Sequence, residues 1–582
     1  MKSHFSRRSF LKSSFGVGIL GLLRSQRSQA EPKTRRVDLQ MDYSPLANSF
    51  VELKSSYEVL IIGSGYGGAV MGARLSRNRE VAILERGREW TPGEYPETLQ
   101  EMKEHIYCES HPLGLFAYHT HREIDVLSGS GLGGTSLINA GVVIPPDRDL
   151  FQKTGWPEEI SREASRGDFE KYYQKVGKML NAQAYNPRTM NIAKAENLRQ
   201  SAEALKSRFS WAKIAVNLHG PHVNPAGDKQ PRCHMCGNCV TGCNTGAKNT
   251  LNMNYLPLAK RNGAKIFTQM AVSHVERLSN GNYLVRGTYI SESGKKEFRI
   301  EARNVIVSAG TMGSTQILLR SQKLGNLKFS SQLGKHFSGN GDLLGVGFNG
   351  VTPTNMVGNS SAKIYRPEML AGPTILGIAD YRASKNIFER FLIEEGDIPG
   401  ALVNLLRRLT SLIPFQKTPT KIYRAWLDFI DSKDIEKGAL NYSMIYFGMG
   451  HDKANGKIVL DSQNRAVVSW PGVMADPIFS RVTQKIKQHV AWNGSTYVKN
   501  PRSTLLMGDN LITVHPLGGC AMGSSVDSGV VNHLGQVYGI GGALQEGLFV
   551  MDGSVIPTAI GVNPLLTIST LAERSAERIS LR

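Results

Sequence analysis

Val59-Leu60-Ile61-Ile62-Gly63-Ser64-Gly65-Tyr66-Gly67-Gly68 is a short apolar run entering a cluster of glycines, and Ala69 to Leu75 after it has helical composition. Val81-Ala82-Ile83-Leu84 follows as a second buried strand and ends at Glu85. Strand, glycine turn, helix and strand in that order form a βαβ unit. Gly63-x-Gly65-x-x-Gly68 puts glycines where the chain turns tightly, where a pyrophosphate touches backbone and where a helix packs on a strand. The N–H groups that open the helix then hold phosphate charge. Glu85 stands where a carboxylate accepts the hydroxyls of an adenosine ribose, and it would repel a 2′-phosphate. The unit predicts an α/β fold with a Rossmann-type dinucleotide-binding domain.

Outward from this unit, Gly129-Ser130-Gly131-Leu132-Gly133-Gly134-Thr135-Ser136-Leu137-Ile138-Asn139-Ala140-Gly141 is a second glycine-rich stretch. Its small residues let backbone approach a flat, bulky ligand; a surface loop is the other reading. Asn304 to Gly310 repeats the strand-into-glycine pattern and leads into a helix from Gly313 to Leu319. Leu548-Phe549-Val550-Met551 ends at Asp552-Gly553, and a last helix runs from about Pro564 to Ile579. Residues 283–300 and 457–470 alternate in character and read as antiparallel strands. The nucleotide-binding domain is therefore discontinuous, occupying 55–150, 231–325 and 505–582. An α+β substrate domain containing an antiparallel sheet is inserted at 151–230 and 326–504, and 31–54 is a polar leader.

The 582 residues exceed a single hydrophobic core, and 41% hydrophobic with 20% charged residues is ordinary for a globular chain. A net charge of +20 raises nucleic acid as a partner. The basic residues are scattered, however, and no nucleic-acid-binding motif accompanies them, so weak attraction to anionic membrane surfaces is the better reading. Ser6-Arg7-Arg8-Ser9-Phe10-Leu11-Lys12, the apolar run Phe15 to Leu23 and Ser28-Gln29-Ala30 form a twin-arginine signal peptide over residues 1–30. It implies export to the periplasm or outside the cell, with an uncut anchor as the alternative.

His515-Pro516-Leu517-Gly518-Gly519-Cys520-Ala521-Met522-Gly523, Met551-Asp552-Gly553-Ser554 and Gly561-Val562-Asn563-Pro564-Leu565-Leu566-Thr567-Ile568 resemble the C-terminal signature of the glucose-methanol-choline (GMC) oxidoreductases, in particular their cholesterol oxidase branch. The Gly63 fingerprint, the Gly129 to Gly141 stretch and Ser308-Ala309-Gly310 with Ser314 occur in the family's order. The resemblance implies FAD. Its adenine end would lie at Gly63, Gly65, Gly68 and Glu85, and its isoalloxazine near Asn139, Asp552 and Asn563; Gly129, Gly133, Gly134, Ser136, Gly141, Gly310 and Gly553 complete the expected cofactor site. It also implies oxidation of a bulky alcohol, a 3β-hydroxysteroid or similar lipid, with oxygen as acceptor. His515 suits the hydroxyl proton because its ordinary pKa lies near working pH. Asn563 suits a hydrogen bond to the substrate oxygen or to the reduced flavin, while also capping the helix that Pro564 opens. In family members that also shift the steroid double bond, a glutamate sits on a substrate-domain strand. The strand matched here, 441–449, has no acidic residue, and Asp380 is the substitute on offer.

Cys233-x-x-Cys236-x-x-Cys239-x-x-x-Cys243 has the spacing of ferredoxin ligands, with Asn244 where proline usually follows. An iron-sulfur cluster, a zinc site, structural disulfides and reduced structural thiols are all compatible with it. A cluster would make the protein a dehydrogenase for alcohols or polyols that feeds a respiratory acceptor. Cys520 reads as packing. Residues 387–429 carry apolar residues at helical spacing, including Phe391-Leu392-Ile393, Leu402-Val403, Leu405-Leu406, Leu409 and Leu412-Ile413, with Arg407 and Arg408 on the polar side. They read as an amphipathic element touching a membrane or as a helical pair packed on its own domain. A non-catalytic flavin- or sterol-binding protein is the rival from another class, opposed by the joint presence of His515 and Asn563.

Overall fold

The computed structural model describes residues 43–359, 369–411, 418–430, 435–500, 503–504 and 508–582. The signal-peptide reading, and Leu412-Ile413, lie outside the described residues.

The apolar runs become neighbouring strands of one sheet. Ser56–Ile62 pairs in parallel with Val81–Leu84 on one side and with the end of Gly294–Val307 on the other. Lys265–Phe267 extends one edge, and Leu544–Val550 joins Gly294–Val307 in parallel. Buried on both faces, parallel strands need continuous rather than alternating apolar residues, which Val59 to Ile62 and Val81 to Leu84 supply. The first half of Gly294–Val307 pairs instead with Tyr283–Ser291 in an antiparallel meander that Met270–Arg277 completes. The carboxyl ends of the parallel strands therefore line up Gly63, Glu85, Ser308-Ala309-Gly310 and Asp552-Gly553 along one edge, where open α/β sheets place their ligands. Helices Tyr66–Leu75, Tyr255–Arg261 and Leu565–Ala576 pack together on this core, and Glu573 in the last of them receives a two-pronged bond from Arg74 at 2.6 and 2.8 Å.

A second sheet is wholly antiparallel, in the order Thr496–Lys499, Leu343–Phe348, Met444–Gly450, Phe391–Gly396, Gly377–Asp380 and Arg208–Trp211. Its two faces have different jobs. Phe391, Ile393, Met444 and Tyr446 pack beneath helix Pro477–Trp492, whereas Leu392 and Met449 belong to the core shared with the first sheet. A small third sheet pairs Leu511–Thr513 in parallel with Ile124–Gly129. Two parallel neighbours end on the same side, so the glycine stretch after Gly129 and the segment reaching His515 leave this sheet together.

Three expectations change. The leader is not all outside the globule: Glu89 accepts from Tyr43 Oη at 2.7 Å and from the amides of Leu46 and Ala47 at 2.7 and 2.8 Å, and Phe50 stacks on Tyr289. Of residues 387–429, Gly400–Ser411 and Pro419–Phe429 are a packed pair of helices, but Phe391-Leu392-Ile393, read with them at helical spacing, belongs to the buried central strand Phe391–Gly396. Arg407 does not lie on a polar surface; it is buried and bonds Asp428 at 3.0 Å.

Candidate functional site

The two glycine stretches and the C-terminal strand meet at the fingerprint turn. A Cβ on Gly63 would lie 2.2 Å from Ser308 O, and one on Gly67 only 1.7 Å from Met551 O. On Gly134 it would reach 3.0 Å from Gly65 Cα. Ser64 ties the stretches together, since its Oγ accepts from Gly133 N at 3.0 Å and donates to Glu85 Oε2 at 2.6 Å. Gly65 and Gly310 differ from these: each begins or precedes a helix, and nothing lies within 4 Å of the Cβ either would carry. That open space at two helix N-termini is a cradle for an anionic group.

The expected cofactor residues divide accordingly. Glu85, buried and pushed up from the usual carboxylate range by that burial, accepts three hydrogen bonds from Ser64 and Gly87 and keeps lone-pair capacity for a ribose hydroxyl. Asp552 binds Gly310 N at 2.9 Å and Ser314 Oγ at 2.5 Å, fixing the strand end to helix Gly310–Leu324. Asn139 donates to Tyr66 Oη at 2.8 Å. Ser136 braces its own loop, donating to Gly133 O and accepting from Leu251 N, so its hydroxyl is engaged within the protein. Gly68 meets Gly63 O, Gly129 meets Thr135, Gly133 meets Ser136, Gly141 meets Ala215, and Gly553 lies against Pro516 O and Thr311 Oγ1; these glycines serve packing between the loops.

The contrast predicts a mutational result. Gly67→Ala drives a methyl into backbone, and we expect a loss of about 3 kcal/mol or more together with the cofactor. Gly65→Ala keeps the melting temperature of the cofactor-free protein while lowering its flavin content, because its methyl occupies the ligand's space. Equal destabilisation of both variants would contradict this reading of the turn.

On the other side of the site, His515 Nδ1 donates to Asp342 Oδ1 at 2.9 Å. Asp342 Oδ2 accepts from Thr513 Oγ1 and from the amides of Val514 and His515 at 2.9, 2.9 and 3.1 Å. A carboxylate surrounded by four donors acts as acceptor only, so the proton sits on Nδ1 and Nε2 is the nitrogen left for a substrate. The loop bearing Asp342 also holds the other functional segment: Asn340 Nδ2 donates to Val562 O at 2.8 Å and its Oδ1 accepts from Ile560 and Gly561 N, just before Asn563. One loop thus sets both His515 and Asn563. Asp452 fixes that loop through Ser338 Oγ and Gly341 N.

Asn563 Nδ2 donates to Glu394 Oε2 at 3.3 Å. Glu394 is fully buried, and burial pushes its carboxyl up to about 8, with Glu395 and Asp342 adding to the rise. Its Oε1 and the Asn563 Oδ1 are buried with no hydrogen-bond partner among the described residues. Buried polar atoms are normally paired, so these two, beside each other on one wall, are free to meet a ligand's polar atoms. Glu394 and Phe447 are register partners on adjacent antiparallel strands, which puts their side chains on one face. The Phe447 ring lies 5.5 Å from that of His515. Through this pair the imidazole of His515 and the amide of Asn563 converge on one wall, lined by Leu392 and Met449 as well.

Sequence reasoning missed Asp342 and Glu394. The substrate-domain strand read at 441–449 is found at Met444–Gly450, and it has no acid; the carboxyl comes from the neighbouring strand. Asp380 is not the substitute, because Arg382 binds it at 3.0 Å and holds its carboxyl below the ordinary range.

The metal reading of Cys233, Cys236, Cys239 and Cys243 is not sustained. Among the described residues no group of three or more His, Cys, Asp or Glu side chains is arranged to hold a metal ion, and all six cysteines are free. Burial, and the nearness of the other thiols, push the thiols of Cys233 and Cys236 up, and burial pushes up that of Cys239. The loop is organised instead by Lys248, whose Nζ donates to Leu137 O, Asn139 O and Cys239 O at 2.8, 3.0 and 2.7 Å. Cys520 is buried, its thiol pushed up to about 12.

Residues 57–337 and 480–572 match the family models of GMC oxidoreductases. The chain is 26% identical to a cholesterol oxidase of Acinetobacter baumannii, covering 90% of this chain and 94% of that protein, and 26% identical to a cholesterol oxidase of Mycobacterium tuberculosis (strain ATCC 25618 / H37Rv), covering 90% and 91%. It is 25% identical to the long-chain-alcohol oxidase FAO4B of Arabidopsis thaliana, covering 88% and 66%. In fold it is similar to pyridoxine 4-oxidase of Mesorbium loti and to formate oxidase of Aspergillus oryzae RIB40, each with a TM-score of 0.58 at 14% identity over 90% of this chain and 98% of the other.

Proposed function

Because the chain belongs to the GMC oxidoreductase family, whose members bind FAD and whose relatives of this chain are alcohol oxidases, we propose that it oxidises a bulky apolar alcohol, a 3β-hydroxysteroid or a long-chain alcohol, with oxygen as the electron acceptor. Bound FAD supplies the hydride acceptor. The observation that carries the reading is the wall on which His515 and Asn563 converge with Glu394 among Leu392, Phe447 and Met449.

The residues divide the remaining work. A secondary alcohol must lose its hydroxyl proton as the carbinol hydride leaves. His515 Nε2, oriented by Asp342, accepts that proton, and the Glu394 carboxylate is a second acceptor within the same wall. Asn563 holds Glu394 at one end and presents its amide oxygen to the site at the other. The apolar side chains exclude water and favour a hydrocarbon skeleton over a polyol, whose extra hydroxyls would be buried unpaired.

The two cholesterol oxidases and the long-chain-alcohol oxidase support an apolar substrate jointly. A panel of sterol, long-chain alcohol, choline and glucose, assayed aerobically with peroxide detection, tests it. The first two should turn over with one peroxide formed per alcohol oxidised; preference for glucose or choline, or turnover with an artificial acceptor and no peroxide, would refute the substrate or the acceptor respectively.

A further inference from the structure

We propose that Lys248 is a positioning residue for the flavin: its buried ammonium grips the loop at Leu137 and Asn139, aims the peptide N–H of Ala140 at the cofactor and makes that N–H a stronger donor. The inference rests on the FAD reading and not on which alcohol is oxidised.

Backbone pairing fixes where Lys248 starts. Ala215 N donates to Gly141 O and Val143 N to Lys213 O, each at 2.8 Å, so the loop after Ala140 lies against residues 213–215. The next stretch pairs with the segment of Lys248, since Asn217 N donates to Ala247 O at 2.8 Å and Asn249 N to Ala215 O at 2.9 Å. Held on both sides, Lys248 sends its side chain back to the loop before Gly141. Its Nζ spends all three donors on the carbonyls of Leu137, Asn139 and Cys239.

The charge of that ammonium is unusual. Lys248 is buried, and burying a cation is costly unless an anion pairs with it. Lys194, buried as completely, lies 3.5 and 3.3 Å from the carboxylates of Glu395 and Asp397. Lys248 bonds only carbonyls, and the groups that act on its charge are the thiols of Cys239, Cys243 and Cys236. Those of Cys236 and Cys239 are pushed up by burial and stay protonated. Burial lowers the lysine itself to about 8, which leaves it charged at neutral pH. A cation kept inside without a carboxylate suits negative charge that arrives with a ligand, and a flavin gains such charge on reduction.

Peptide planarity carries the effect to the other face of the loop. In a trans peptide the C=O and the N–H point in opposite directions, so with Asn139 O on Lys248 the Ala140 N–H points away from it. Ala140 is buried, yet this N–H has no hydrogen-bond partner among the described residues. Buried amides are almost always paired. Asn139 is also tied to Tyr66, the residue that opens the helix after the fingerprint turn, and the ring nitrogens and carbonyl oxygens of an isoalloxazine are the acceptors this N–H lacks. A carbonyl bonded to a cation polarises its own peptide, so the N–H at the other end donates more strongly. Such a donor favours the flavin form that carries more negative charge.

Lys248→Met keeps the length of the side chain and removes its charge. Two titrations of the purified holoenzyme read the effect: one with sulfite, which adds to oxidised flavin and leaves negative charge on the ring, and one against a redox dye. The variant should bind sulfite about tenfold more weakly and shift the flavin couple toward the oxidised form by a similar factor, about 30 mV for two electrons. Should Lys248→Met fail to fold or to keep its flavin, Lys248→Gln, which retains two N–H donors for the carbonyls, carries the same expectation. A flavin-bearing variant with a lowered melting temperature but the sulfite affinity and potential of wild type would overturn the proposal, because a merely structural lysine moves only the first. Wild-type protein without flavin would overturn the cofactor reading and this inference together. A yellow wild type that shows both shifts on substitution but oxidises no alcohol would leave the role of Lys248 intact and refute the substrate reading instead.

Discussion

His515→Ala lowers the rate of alcohol oxidation by about a thousandfold while the protein keeps its flavin and its melting temperature. The imidazole is held by one strong contact to Asp342 and faces the site through Nε2, so its removal deletes a proton acceptor without opening the hydrophobic core. Asp342→Asn tests the same geometry from behind. Asparagine replaces one carboxylate oxygen by a donor, which meets the Nδ1–H and favours the tautomer with its proton on Nε2. We expect kcat to fall between about tenfold and a hundredfold with KM little changed. Rapid-mixing measurements of flavin reduction give both numbers, and a His515→Ala enzyme that reduces its flavin at the wild-type rate would remove the histidine from the chemistry.

Glu394→Gln produces the second large effect, a loss of about a hundredfold concentrated at alkaline pH. Burial raises the Glu394 carboxyl to about 8, so in wild type the carboxylate forms as pH passes that value and the rate climbs with it. The glutamine variant should lack that limb. Stability carries the same signature with a definite sign. The folded pKa lies above the unfolded one, near 4.3, so the folded state holds an extra proton between the two values. Wild-type stability from this group is full below the unfolded value and is lost as pH rises through about 8. The melting temperature of Glu394→Gln should accordingly gain on wild type from about pH 5 to pH 8. A constant offset across that range would show that Glu394 does not titrate as its burial requires.

The parts legible in the sequence are those where geometry permits one residue type. Gly67 is written as glycine because Met551 O occupies the place of a side chain, and the alternation of apolar run and glycine marked each strand end on the ligand edge. His515 and Asn563 stood out only through family resemblance. Glu394 did not stand out at all. It lies 169 residues from Asn563, inside Phe391-Leu392-Ile393-Glu394-Glu395, whose apolar run reads as readily as helix as strand. Only the pleat separates the fates of its two carboxyls: Glu394 faces the site, whereas Glu395 turns away to Leu376 and Gly377 amides and to Lys194. Asp342, 173 residues before His515, was hidden for the same reason. The cysteine spacing shows the converse, a strong sequence pattern that the fold does not turn into a metal site, since spacing sets what side chains can reach and not where the loop aims them. In 387–429 the helical spacing was read across Phe391–Gly396, which is a central strand, and Arg407 was placed on the surface when Asp428 draws it inside.

Anaerobic mixing of the purified holoenzyme with a steroid or long-chain alcohol, protium or deuterium at the carbinol carbon, is the most direct test of the claim that this wall faces a tightly held FAD. The account predicts a yellow protein whose visible flavin bands bleach on mixing, and bleach more slowly with the deuterated alcohol. A colourless protein after expression with ample riboflavin, or a flavin that stays oxidised with every apolar alcohol, would contradict it.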